Sequence, residues 1–123
     1  MSAIEAEEED DPSNLQRAWE MLEMAKLIYT KHIATLEADS PNRHQFENQL
    51  SETYQKLGEV SIENEDYKQA IEDLTTCLKL RQKLLPEDSR CIAETHYQVL
   101  IYLSSHFFAA ISNRNRQTNV SVL

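Results

Sequence analysis

Chain-breaking residues are almost missing from this sequence, which holds one glycine and three prolines among 123 residues. Tight reversals draw on those two residues, so a strand-rich fold with many turns is excluded. Long helices joined by few loops are what remains. Hydrophobic residues make up 41% of the chain, enough for a core and too many for wholesale disorder.

The prolines and polar clusters divide the chain into helices. Ser13 follows Pro12 and stands three residues before Gln16, the spacing of a capping box, so a first helix is expected to open there. Leu15, Ala18, Trp19, Leu22, Ala25 and Tyr29 then recur at helical spacing as one apolar face, which can continue to Leu36. Trp19 reads as a core residue on that face. Asp39, Ser40, Pro41 and Asn42 read as a loop. A second helix is expected from about Arg43 to Asn64, turning Phe46, Leu50, Tyr54, Leu57 and Ile62 toward a core. Asn64, Glu65 and Asp66 form a polar break, with Asp66 suited to cap the next helix. The third helix carries Tyr67, Ala70, Ile71, Leu74, Cys77 and Leu78 and stops at Pro86. A fourth begins near Ser89 and holds Ile92, Ala93, Tyr97 and Leu100. Beyond His106 the periodicity fails and Asn113, Asn115, Gln117 and Asn119 follow. The expected division is an acidic disordered lead over 1–12, a helical domain over 13–108, and a disordered tail over 109–123.

The middle helices follow a fixed spacing. Tyr54, Leu57 and Gly58 precede Tyr67, Ala70, Leu74 and Cys77. Small residues at Gly58 and Ala70 let two helices cross closely, while Tyr54, Leu57, Tyr67 and Leu74 fill the space around them. This pattern resembles the tetratricopeptide repeat, a pair of antiparallel helices, with one complete repeat at about 51–86. Ser61 departs from it, standing where the repeat usually has an aromatic residue. The fold class expected is therefore all-α, an antiparallel helix-pair solenoid fragment of about four helices. The first helix then reads as the second member of a preceding pair, and the fourth as the first member of a following one.

Charge points to the kind of partner. The net charge is −9, and Glu5, Glu7, Glu8, Glu9, Asp10 and Asp11 supply most of it within the opening stretch. Such a chain repels nucleic acid and anionic membrane, and attracts basic proteins. In repeat geometry the first helix of each pair lines a concave face. On the second helix that face carries Glu52, Gln55, Glu59 and Glu63, and on the fourth it continues with Glu94 and Tyr97. Carboxylates suit lysine and arginine side chains, and Tyr97 could stack on a guanidinium. The acidic lead, with Glu7, Glu8, Glu9, Asp10 and Asp11, would add long-range attraction that fades as salt rises. Self-association through exposed helix faces is a further expectation.

Chemistry of other kinds has little support. One glycine cannot build a phosphate-binding loop. His32, His44, His96 and His106 are scattered, with no pair at one-turn spacing for a metal. Cys77 and Cys91 make neither a disulfide framework nor a metal site and read as reduced thiols. His96 beside Glu94 and Thr95 lacks a nucleophile held in a recognisable motif, so a structural role is expected. No cofactor, metal or catalytic residue is expected.

Three stretches go beyond the generic repeat. Asn14 to Glu23 (NLQRAWEMLE), Lys56 to Ser61 (KLGEVS) and Ala93 to Gln98 (AETHYQ) resemble the nuclear autoantigenic sperm protein family of histone chaperones, over roughly Glu7 to Gln98. In that family an acidic segment interrupts one repeat, and the run Glu5 to Asp11 resembles its end. After Gln98 the sequence departs from the family pattern, so a partial chain is expected. The resemblance implies escort of linker histone and of histones three and four, for nucleosome assembly that includes centromeric chromatin. It also implies a nuclear address, with the cytoplasm as a second one. Two alternatives stand beside it: a tetratricopeptide adaptor or co-chaperone binding another protein's peptide, and a truncated product without histone binding. An adaptor for acidic tails needs lysine, arginine and asparagine on the inner face, where Glu52, Glu59 and Glu63 stand instead.

Overall fold

A computed structural model describes residues 12–122, with side chains described from 14 to 116. Four helices occupy these residues: α1 (Pro12–Ala34), α2 (Pro41–Glu63), α3 (Tyr67–Leu84) and α4 (Arg90–Val122). Each packs on the next, and α2 against α3 is the most extensive contact. Short links force neighbours antiparallel, which gives the all-α helix-pair solenoid that the spacing indicates.

The α2–α3 pair shows why the small residues are needed. Leu57, Ala70, Leu74 and Cys77 are completely buried between the helices. A methyl group built on Gly58 would meet the Ala70 carbonyl oxygen and Leu74 Cδ1, each at 3.4 Å. Anything longer than a methyl would enter the backbone of α3. Tyr54 and Tyr67 are half-buried at the margins of this contact.

The reversal between α2 and α3 is tight. Glu65 takes a left-handed conformation with φ 61°. The Asp66 amide then donates to the Ser61 carbonyl at 2.8 Å and the Glu65 amide to Ile62 at 3.1 Å, the two bonds of a Schellman motif. Asp66 caps α3 through its side chain, which accepts from the Gln69 amide at 3.3 Å. These bonds satisfy helix-end groups that would otherwise be orphaned.

Between α1 and α2, Phe46 meets Tyr29 at 6.2 Å and His32 edge-on at 4.5 Å between ring centroids. Glu47 is 4% exposed, yet it stays charged. Arg43 Nε lies 2.8 Å from one of its oxygens and Lys83 Nζ 3.0 Å from the other. Burial alone would raise this carboxyl's pKa, but the bonds from Arg43 and Lys83 outweigh it and hold the group below its ordinary value. Arg43 also donates to the Leu36 carbonyl at 3.1 Å, which ties the link after α1 to α2 and, through Glu47, to α3.

Four expectations need correction. Helix α1 opens at Pro12, so Ser13 is inside the helix and not its cap. Helix α2 opens at Pro41, with Ser40 extended just before it. At Pro41 proline serves as a first-turn residue, where its missing amide costs nothing and its fixed φ suits the helix. Helix α4 runs on to Val122, where a disordered tail over 109–123 was expected. Neither glycine nor proline follows Pro86, so the local sequence holds no strong helix breaker. Trp19 is 38% exposed and is not a closed core residue. It lines a cleft of about 340 Å³ with Leu15, Val60, Asn64 and Gln69.

Candidate protein-binding face

Glu52, Gln55, Glu59 and Glu63 fall on the side of α2 opposite Leu57, so burying the core turns them outward. Glu52, Glu59 and Glu63 are exposed, and Gln55 is half-buried. The amide nitrogen of Gln55 donates to Glu59 Oε1 at 3.3 Å, which places the two side chains in one line.

Beneath that line is a buried cation. Arg81 of α3 is 8% exposed. One terminal nitrogen donates to Thr95 Oγ1 on α4 at 2.7 Å, and the other donates to Gln55 Oε1 on α2. Thr95 is itself buried, and its hydroxyl donates to the Cys91 carbonyl at 2.7 Å. One guanidinium therefore joins three helices, and Gln55 relays the connection to Glu59.

Helix α4 closes the other side. Tyr102 is 8% exposed and packs on Ala70 and Leu74. Its hydroxyl accepts from Gln98 Nε2 at 2.9 Å. Burial pushes its pKa up, the carboxylates of Glu59 and Glu63 push the same way, and the Gln98 bond pulls it back in part. Those two glutamates are thus close enough for their charge to reach the tyrosine, which sets the stripe along the α2–α4 junction. Burial likewise pushes the Cys77 thiol up to about 11, with Arg81 pulling it down. A thiol so raised is a packing group and not a nucleophile.

The remaining sequence-derived site residues are placed as follows. Glu94 precedes Gln98 and Tyr102 at four-residue spacing and so shares their side of α4. It is exposed and pairs with Arg90 at 3.0 Å. Tyr97 is 67% exposed and lies farther round the helix. Glu7, Glu8, Glu9, Asp10 and Asp11 lie outside the described residues. The structure thus gathers Glu52, Gln55, Glu59 and Glu63 on one helix and Glu94 with Tyr97 on another. His96 approaches Gln82 at 3.3 Å. No group of His, Cys, Asp and Glu that could hold a metal occurs among the described residues. No helix among them is long and apolar enough to cross a membrane.

Arg81, Thr95, Gln98 and Tyr102 were not found by reading the sequence. A signal for Arg81 existed, because it extends the stripe Ala70, Leu74, Cys77 by one more turn. A lone arginine on a core stripe implies a buried partner.

Residues 51–88 match the SHNi-TPR family model. The chain is 42% identical to Protein HGV2 of Halocynthia roretzi over 90 residues, which is 73% of this chain and 16% of that protein. It is 39% identical to the nuclear autoantigenic sperm protein of Homo sapiens over 97 residues, 79% of this chain and 11% of that one. It is also 39% identical to the histone-binding protein N1/N2 of Xenopus laevis over 100 residues, 79% of this chain and 15% of that one. The chain thus spans only a small part of the length of the relatives it matches. Residues 51–88, which hold most of α2 and all of α3, thus carry a SHNi-TPR domain, in a chain similar over most of its length to the nuclear autoantigenic sperm proteins and to histone-binding protein N1/N2.

Proposed function

We propose that this chain is a non-catalytic histone-binding module whose acidic face on α2, closed on one side by α4, receives basic segments of histones. The observation that carries the proposal is the line of exposed carboxylates Glu52, Glu59 and Glu63 along α2, with the half-buried Gln55 among them held by Arg81. Its chemistry matches what the name of the Xenopus laevis relative states of that protein, histone binding. Carboxylates on a rigid helix offer acceptors to lysine and arginine at fixed spacing, without the ordering cost a loop would incur. The acid run Glu5 to Asp11 adds net negative charge that draws a basic partner from a distance. Glu94 and Tyr97 would extend the contact on α4.

On this reading the cargo is linker histone and histones three and four, and the work is their supply to nucleosome assembly, centromeric chromatin included. The site of action is then the nucleus, with passage through the cytoplasm. Neither nucleic acid nor membrane is a direct partner, since the face has the wrong sign for phosphate.

The test is titration of purified core and linker histones into the chain at low and moderate salt. It is run in parallel on the triple variant Glu52→Gln, Glu59→Gln, Glu63→Gln. Exposed ion pairs are worth about 0.2–1 kcal/mol each, so the triple change should weaken binding roughly 3- to 150-fold at low salt. Equal affinity of the two proteins, with helix content unchanged, would remove the α2 face from the proposal.

A further inference from the structure

The cleft that Trp19 lines is bounded by three helices. Leu15, Gln16 and Trp19 of α1 form one wall, and Val60 and Ser61 near the end of α2 form the floor. Asn64, Asp66 and Gln69, around the start of α3, form the other wall. Val60 and Ser61 belong to the side of α2 opposite Glu52, Glu59 and Glu63. The cleft and the acidic stripe are therefore on different sides of that helix.

Hydrogen bonding gives the cleft a chemical bias. Two glutamines line it, and each has its amide nitrogen engaged with a carboxylate. Gln16 Nε2 donates to Glu20 Oε1 at 3.0 Å, and Gln69 Nε2 donates to Asp73 Oδ1 at 3.2 Å. A primary amide carries its donor and its acceptor on opposite arms, so these bonds leave the two carbonyl oxygens as the groups offered to a ligand. The backbone amide of Gln69 is likewise engaged, by the Asp66 side chain at 3.3 Å. Among the described residues, no lysine or arginine lines the cleft. Beside these acceptors stands the Trp19 indole, 38% exposed. Oxygen acceptors next to an aromatic face suit a planar cation and not an anion.

The carboxylates behind the glutamines strengthen that bias. Asp73 is 4% exposed, and its second oxygen has no hydrogen-bond partner. Lys26, whose charge also acts on Asp73, is bonded to Glu23 at 2.8 Å. A cation beside Gln69 would thus lie one helical turn from a buried carboxylate with an unmatched oxygen. At about 340 Å³ the space suits one long side chain and not a whole helix.

We propose that this cleft receives an arginine side chain from a protein partner, its guanidinium stacked on Trp19 and donating to the carbonyl oxygens of Gln16 and Gln69. Arginine is preferred to lysine, because a flat guanidinium can stack while it donates, whereas an ammonium is a compact and strongly hydrated charge. The inference rests on the proposed function only in taking the partner to be basic, and it adds a contact on the far side of α2 from the acidic stripe.

Trp19 is the only tryptophan of the chain, so tryptophan emission reports on this cleft alone. The probe is a blocked peptide with one arginine between glycines, titrated into the full chain beside lysine and glutamate versions. The arginine peptide should change the emission saturably, the lysine peptide should bind at least about 3-fold more weakly, and the glutamate peptide should have no effect. Gln16 is exposed near the start of α1, so Gln16→Lys puts a cation at the cleft without disturbing the core, which circular dichroism checks. That variant should bind the arginine peptide at least about 10-fold more weakly. The triple variant Glu52→Gln, Glu59→Gln, Glu63→Gln should bind the peptide as the parent does, whatever its affinity for histones. No saturable change, an arginine peptide no better than the lysine one, or unaltered binding by Gln16→Lys would overturn the proposal. So would loss of the response in the triple variant, which would move the peptide to the acidic face of α2.

Discussion

The α2–α3 pair and the helices flanking it are built from the same kind of apolar repeat, but they use it differently. In the pair, Leu57, Leu74, Ala70 and Cys77 lose all contact with solvent. On the flanks, Met21, Met24, Phe107 and Phe108 keep most of theirs. Each helix of a solenoid has two apolar sides, and only a helix with a neighbour on both can bury both. Stability is thus concentrated in the middle, and surface for further contacts is concentrated at the ends.

The largest expected effect tests that division directly. Leu74→Ala should cost about 3–5 kcal/mol in chemical denaturation, since it deletes a fully buried side chain and leaves a void beside Gly58. Phe108→Ala removes a larger side chain that is 73% exposed, and should change stability by less than about 0.5 kcal/mol. Similar costs at the two sites would mean that the ends are as tightly packed as the middle.

Gly58 sharpens the same contrast. Gly58→Leu should destabilise by about 2–3 kcal/mol, because its extra carbons must push α3 away from α2. Gly58→Ala places its methyl at van der Waals distance from α3 and gains helix propensity, so it should stay within about 1 kcal/mol of the parent.

Two buried carboxylates should respond to acid in opposite directions. The Glu47 carboxyl has its pKa held down in the folded state, so its stabilisation is full above the ordinary carboxylate value and is lost as pH falls below it. The Asp73 carboxyl is pushed up by burial, accepts from Gln69 on one oxygen, and has no hydrogen-bond partner on the other. Its unfavourable contribution is present at neutral pH and is relieved as pH falls through its raised value. Asp73→Asn should therefore add about 1 kcal/mol at neutral pH, an advantage that shrinks in acid, when unfolding is followed against pH. Glu47→Gln should destabilise at neutral pH and flatten the acid limb. A smaller gain, about 0.5–1 kcal/mol, is expected from Glu65→Gly, since the left-handed turn position suits glycine better than glutamate.

Legibility in the sequence followed the same contrast. The spacing of Leu57, Gly58, Ala70, Leu74 and Cys77 was readable because two helices packed face to face impose residue sizes on each other. Pro41 misleads at a helix start, because proline both ends helices and opens them, and local sequence does not say which. The extension of α4 was missed because asparagine and glutamine stretches lack apolar periodicity, although they do not stop a helix. The acidic residues of α2 were visible as a pattern. The buried arginine that braces them was not, since its partners Gln55 and Thr95 are 26 and 14 residues away in the chain.

The most direct test of the binding face is to map backbone amide shifts of the labelled chain as a basic histone segment is added. Perturbations concentrated at 52–63 on α2 and 94–102 on α4 are the expected result. Perturbations confined to the outer side of α1 or to the acid run before it, with Glu52 to Glu63 unmoved, would contradict it.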